Sequence, residues 1–424
     1  MNYPILSFLI LILWSFQSAF SQTEASFFEH INYLCSKEVH GRGAEFSGDS
    51  IAANYLVKEY KKMNLETIDA SYIQRFIYDV NTFPGAYSLS INGYSLKAGE
   101  EFMAHAGSKA GKGKYNAVRL TAAEWEDPKF RHKFLSKPLD NKVLVYDSEL
   151  NDTKIPDYFK LKLIKLKASG LIEISNTDPI ASESAAQVVA PTFQINKTTL
   201  EKLGEIKSVE FNLDAVLVED YNSQNVVGMV RGSEEPDQFI IVSAHYDHIG
   251  HLGKEVMLQG ANDNATGVAM LLSLAEHFTK PENTPKKSIL FICFAAEEIG
   301  LVGSEHYAKN PLVPLDQTDF VFNIDLMGSG SEGITVVNGE KLNLQYHMLT
   351  AINDHHGYIT EIKSRANRAN SDHFSFTERN VDAFFIYARG KVGGYHNLGD
   401  TVDKLEHGQF QGLFNLFVEF LVAL

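Results

Sequence analysis

The stretch Val242 to Met270, VSAHYDHIGHLGKEVMLQGANDNATGVAM, concentrates residue types that hold divalent cations. His245 and Asp247 form a His-x-Asp pair directly after the apolar run Gln238 to Ala244. Asp263 stands directly before a helical pattern of Val268, Leu271, Leu272, Ala275 and Phe278. A neutral imidazole nitrogen is a good metal donor, and a neighbouring carboxylate can orient that ring. The same residues also fit a plain structural role, with His245 closing a strand and Asp263 or Asn264 capping the helix. Taken alone, the stretch does not choose between them.

The remaining carboxylates and imidazoles do. Glu297 and Glu298 follow the apolar run Ile289 to Ala296, and Asp325 follows Phe320 to Ile324. His396 follows Ala383 to Tyr387 after a glycine-rich loop. From Val216 onward such runs alternate with helical patterns, which predicts an α/β fold: a mostly parallel sheet with helices on both faces. Ligands of such sheets gather beyond the carboxyl ends of the strands. Each candidate residue leaves a different strand at that edge, whereas acids and histidines placed at random would scatter.

Two imidazoles and three carboxylates suit a pair of zinc ions better than calcium or magnesium, which prefer oxygen alone. Two dications ~3.5–4 Å apart need a shared anion, and Asp263 is the natural bridge. The pair Glu297-Glu298 can divide its labour, one as general base and one as metal ligand. Paired glutamates at a helix start are usually only solvated, but this pair ends a buried run.

The totals narrow the function class. A net charge of −15 argues against nucleic acid, which calls for basic patches. Pro4 to Trp14 is almost wholly apolar, and Ala19-Phe20-Ser21 offers a small-x-small cleavage site, so residues 1–21 read as a signal peptide of an exported protein. An uncleaved anchor is the alternative, but Ser15, Gln17 and Ser18 interrupt a short run, so no stable membrane insertion is expected after cleavage. Cys35 and Cys293 are too few for a disulfide scaffold, and Cys293 lies inside an apolar run as a buried thiol would.

Residues 26–65 read as two helices around the glycine-rich turn His40-Gly-Arg-Gly-Ala, with His40 and Arg42 taken as a packed turn. Residues 71–99 alternate in the manner of strands, and Asn92-Gly93 signals a hairpin. Residues 95–215 look like a separate unit. It has strands from Lys142, from Leu171 and over Val188 to Ile195, a basic helical stretch over Tyr158 to Ala168 and a short helix from Lys197. No pair of metal-binding or nucleophilic residues falls there. The expected organisation is therefore residues 22–94 and 216–424 as the chemical domain and 95–215 as an insert.

The segments SAHYDHIG, GANDNATGVAMLL, FAAEEIGLVGSEHYA, FNIDLMG and YHNLGDT resemble, in order and spacing, the co-catalytic two-zinc aminopeptidase family of clan MH exopeptidases. Ser371-Asp-His-Phe looks like a further family segment, and the insert resembles a protease-associated domain. The resemblance implies one zinc on His245 and Asp325, another on Glu298 and His396, and Asp263 between them. It implies Glu297 as general base, Asp247 as the partner orienting His245, and Tyr395 as an oxyanion donor, a position where a packing tyrosine is the plain alternative. The implied activity is zinc-dependent removal of amino-terminal residues from peptide substrates. Alternatives are a carboxypeptidase or dipeptidase of the glutamate carboxypeptidase II type, for which Arg365 and Arg368 would hold a carboxylate, a glutaminyl cyclase, and a non-catalytic binding protein.

Overall fold

The structure, a computed structural model, describes residues 24–152 and 166–424. The expected signal peptide lies outside the described residues, as does most of the basic stretch Tyr158 to Ala168. No helix among the described residues is long and apolar enough to cross a membrane.

The main sheet has eight strands: β1 (Ile73–Thr82), β2 (Val216–Val230), β3 (Glu235–His245), β4 (Lys287–Phe294), β5 (Thr318–Asp325), β6 (Ile334–Val337), β7 (Ile362–Arg365) and β8 (Ala383–Ala388). They lie in the order β1-β2-β4-β3-β5-β8-β6-β7. The four central strands β4, β3, β5 and β8 are mutually parallel, as their continuous apolar runs require. β1 with β2, β2 with β4, and β6 with β8 pair antiparallel, so the flanks of the sheet are mixed.

Helices cover both faces, and the period of two along each strand decides which side chain meets which layer. On β4, Phe291 and Cys293 face one core while Leu290, Ile292 and Phe294 face the other. The first core is closed by α1 (residues 24–34), α2 (Gly48–Lys62), α3 (Thr266–Phe278), α5 (Asn343–His356) and α7 (Phe410–Ala423). On α7, Phe417 and Phe420 pack edge-on or tilted against Phe322. The opposite core is closed by α4 (Val302–Lys309) and α6 (His373–Thr377), whose Tyr307 and Phe376 meet Phe294.

A second eight-stranded sheet is drawn from residues 87–213, with its own core around Phe102, Phe193 and Phe211. The Tyr87–Ile91 strand pairs with Ser208–Leu213 in this sheet, and Asn92 and Gly93 both have positive φ, as a tight hairpin turn demands. The strand expected over Val188 to Ile195 is confined to Thr192–Asn196, since Pro191 has no N–H to give a ladder. β6 and β7 were missed in the sequence because both are only four residues long. Cys293 is a buried free thiol, as expected, and Cys35 is one too.

Candidate metal centre

His245 is the last residue of β3 and Asp325 the last of β5, so the parallel register of these strands brings them to one edge. Glu297 and Glu298 follow β4 at the same edge. Asp263 comes from the loop before α3, and His396 from the loop after β8. The structure therefore brings the predicted side chains together.

Their donor atoms fall into two groups that share one residue. His245 Nε2 lies 3.3 Å from Asp263 Oδ1 and 3.4 Å from Asp325 Oδ1. His396 Nε2 lies 3.0 Å from Asp263 Oδ2 and 3.0 Å from Glu298 Oε2. Asp263 thus turns one oxygen to each group. Asp325 Oδ1 and His396 Nε2 are buried without a hydrogen-bond partner among the described residues, which suits atoms whose lone pairs serve a cation.

The electrostatics ask for positive charge in the same place. Burial opposes protonation of His245, yet Asp325 and Glu297 hold its imidazole well above the ordinary range. Burial pushes the Glu297 carboxyl well up against the opposing pull of His245, and Asp372, Glu298 and Asp325 push it further. A carboxyl so placed is suited to accepting a proton from a group beside it. The mixed imidazole and carboxylate donor set fits zinc, and Asp263, Glu298 and Asp325 leave enough negative charge for two dications.

The backbone that carries Asp263 is held from several sides. Asp400 accepts hydrogen bonds from the N–H groups of Asn262 at 2.7 Å and Asp263 at 3.0 Å. Asn264 donates to the carbonyl of Ile324 at 3.1 Å and accepts from the N–H of Leu326 at 3.1 Å, tying the loop to the end of β5. The guanidinium of Arg42 is fully buried and donates to the carbonyls of Leu34, Tyr246, Gln259, Gly260 and Asp263. The reading of Arg42 as a packed turn understated its reach: it clamps both ends of the loop between His245 and Asp263.

The other predicted residues divide. The Asp247 carboxylate lies 3.7 Å from His245 Nδ1, and its second oxygen accepts from the Glu298 N–H at 3.2 Å. Tyr395 stacks on His396 with ring centroids 3.9 Å apart and is half exposed. Both Tyr395 and Glu297 line a cleft of about 260 Å³ over His245, Asp263 and Asp325. Arg365 lines this cleft too, whereas Arg368 is exposed. His373 is buried and bonded to Asn367 at 3.0 Å, a structural setting.

Three nearby residues had no role in the sequence reading. His248 Nδ1 is 2.7 Å from Glu298 Oε1, and Asp400 supports Asp263 as described. Asp372 is fully buried, with its charge bearing on Glu297. All three sit in loops with no periodicity to read, although the segments HYDHIG, SDHF and YHNLGDT that contain them were already singled out.

Comparison with known proteins finds relatives for the part of the chain that carries these residues. Residues 225–421 match Peptidase family M28. Aminopeptidase YwaD of Bacillus subtilis (strain 168) is 27% identical over 241 residues, covering 54% of this chain and 50% of that protein. A probable zinc metalloprotease of Pyrenophora tritici-repentis is 30% identical over 190 residues, covering 42% of each chain. The chain thus spans half or less of the length of these curated relatives. Among solved structures, the zinc aminopeptidase BSAP from Bacillus subtilis superposes with a TM-score of 0.71 at 20% identity, over 95% of this chain and 94% of that one. A Peptidase M28 precursor from Shewanella amazonensis gives 0.68 at 17% identity over 96% of both chains, so the fold is shared nearly end to end.

Proposed function

We propose that this chain, whose residues 225–421 match peptidase family M28, is an exported zinc exopeptidase that removes amino-terminal residues from peptides. The observation that carries the reading is the division of Asp263, Oδ1 toward His245 and Asp325 and Oδ2 toward His396 and Glu298. On this reading His245 and Asp325 would hold one zinc and Glu298 and His396 a second, with an oxygen of Asp263 available to each. Zinc bound there supplies Lewis acidity toward the scissile carbonyl and acidifies water.

The chain's own residues do the rest. Glu297 takes the proton from the attacking water and delivers it to the leaving amine, which its raised affinity for protons supports. Asp247 backs His245 through its main-chain carbonyl, 3.3 Å from Nδ1, with its carboxylate 3.7 Å away, and the exposed edge of Tyr395 offers a phenol donor at the cleft wall for the developing oxyanion. The carboxylates around the cleft favour the free ammonium of a peptide's first residue. Residues 1–21 support export. We read residues 95–215 as a protease-associated insert that adds no reacting group, its sheet also taking in the Tyr87–Ile91 strand.

The test is Glu297→Gln, expected to lower kcat by roughly 10²–10⁴-fold with two zinc per chain retained; full turnover in that variant removes Glu297 as the base. A second reading has one observation in its favour. Arg365 lines the cleft, hydrogen-bonds Tyr387 Oη at 3.2 Å, and makes no ion pair among the described residues, so it is available to a substrate carboxylate. Cleavage of aminoacyl anilides supports the aminopeptidase; cleavage of carboxy-terminal dipeptides alone supports the other.

A further inference from the structure

The loop at residues 176–190, between the Gly170–Ser175 and Thr192–Asn196 strands of the second sheet, reaches across to His396. Ala181 meets that residue twice. Its N–H donates to the His396 carbonyl at 2.8 Å, and its carbonyl lies 3.1 Å from His396 Nδ1. A carbonyl only accepts, so Nδ1 must carry a proton, and in the neutral ring that a cation requires it is Nε2, facing Asp263 and Glu298, that keeps the lone pair. A backbone carbonyl behind the far nitrogen is a common way to fix the tautomer and orientation of a metal-binding histidine.

His396 needs such support more than His245 does. It belongs to no helix or strand, and its φ of 51° is left-handed, a conformation that persists in a non-glycine residue only when its surroundings impose it. The loop that supplies the support is itself strapped down. Ser184 O accepts from the Asn81 N–H at 2.8 Å, Gln187 donates to Asn81 Oδ1 at 2.8 Å, and the Val188 N–H donates to Gly107 O at 2.9 Å. Asn81 lies on β1 of the main sheet, so the loop is anchored to both sheets.

We propose that the 176–190 loop is a positioning element of the metal centre, and that Ala181, through its backbone, keeps His396 in the tautomer and orientation that hold one of the two cations. The second sheet is then required for the His396 half and indifferent to the His245 half. This inference rests on reading His396 as a ligand.

The experiment loads the full chain with cadmium and records ¹¹³Cd resonances, with stepwise chelator competition on the same samples. The wild-type chain should show two resonances; fewer than two would remove the two-cation reading itself. Ala181→Pro deletes the N–H to His396 and is expected to shift or lose one resonance, weakening one equivalent roughly 10–100-fold and leaving the other in place. Ala181→Gly keeps both backbone groups and should match the wild type. Two unchanged resonances and unchanged chelator curves in folded Ala181→Pro overturn the proposal, as does parallel loss of both equivalents. Should that variant not fold, Gln187→Ala decides: selective weakening of one equivalent supports the proposal, and no change overturns it.

Discussion

The two halves of the centre are built from different materials. His245 and Asp325 end adjacent parallel strands, and a buried relay backs them: Ser243 donates to Asn323 at 2.8 Å, Asn323 to Ser371 at 2.8 Å, and Ser371 to Asp325 Oδ2 at 3.0 Å. His396 leaves a loop and is backed by main-chain groups of a segment more than 200 residues earlier in the chain. Strand ends are positioned by a ladder and a core that the whole fold maintains, so the His245 half inherits its rigidity. Within the other half, the placing of His396 depends on a single crossing segment, and its precision is correspondingly easier to disturb.

Four measurements can break or sharpen that contrast. The largest effect is expected at the residue common to both halves: Asp263→Ala should abolish measurable turnover and reduce both metal equivalents, beyond the roughly 10²–10⁴-fold expected of a lost general base. Metal analysis showing one equivalent untouched would mean that Asp263 serves a single cation. Next comes the clamp beneath the joining loop. Arg42→Met takes a donor from five carbonyls, of which Gly260 keeps the Ala265 N–H, and should lower unfolding stability by at least about 3 kcal/mol, read by denaturant titration; a drop below about 1 kcal/mol would show that water replaces the guanidinium.

Ser371→Ala removes a donor from Asp325 and the acceptor of Asn323 behind it, and should weaken one metal equivalent by about 10-fold, leaving the equivalent sensitive to Ala181→Pro as it was. Competition curves in which the two variants affect the same equivalent would dissolve the distinction between the halves. The smallest effect on the centre itself concerns Glu45, which lines a small cavity with Ala181 and Glu183 where the two sheets meet. Burial pushes its carboxyl up to about 7 from 4.5. The unfolded chain therefore releases this proton first as pH rises, so stability falls between about pH 4.5 and 7, and the penalty is complete above that window. Glu45→Gln should accordingly stabilise the protein at pH 8 by up to about 3 kcal/mol and leave it unchanged at pH 4, as followed by thermal unfolding. A gain of equal size at both values would assign the effect to something other than the charge.

The central strands could be read because burial on both faces forces long apolar runs, and β3, β4, β5 and β8 carry them. The acids and imidazoles that terminate those runs could be read with them, since a strand's end is a position in sequence as well as in space. β6 and β7 are too short for any period to register, and the antiparallel flanks leave no mark in composition. His248 and Asp372 went unassigned because a loop residue's partner is set by the path of the chain, and no local pattern encodes it.

Sequence alone determined which residues have the chemistry to hold a cation and at which edge of the sheet they emerge, because donor type and strand length are local properties. Only the tertiary structure decided how Asp263 shares its oxygens, that Arg42 clamps the loop behind it, and that a carbonyl from the second sheet chooses the protonated nitrogen of His396. Those are contacts between segments far apart in the chain, and their free energy depends on angles and distances that exist only once the segments have met.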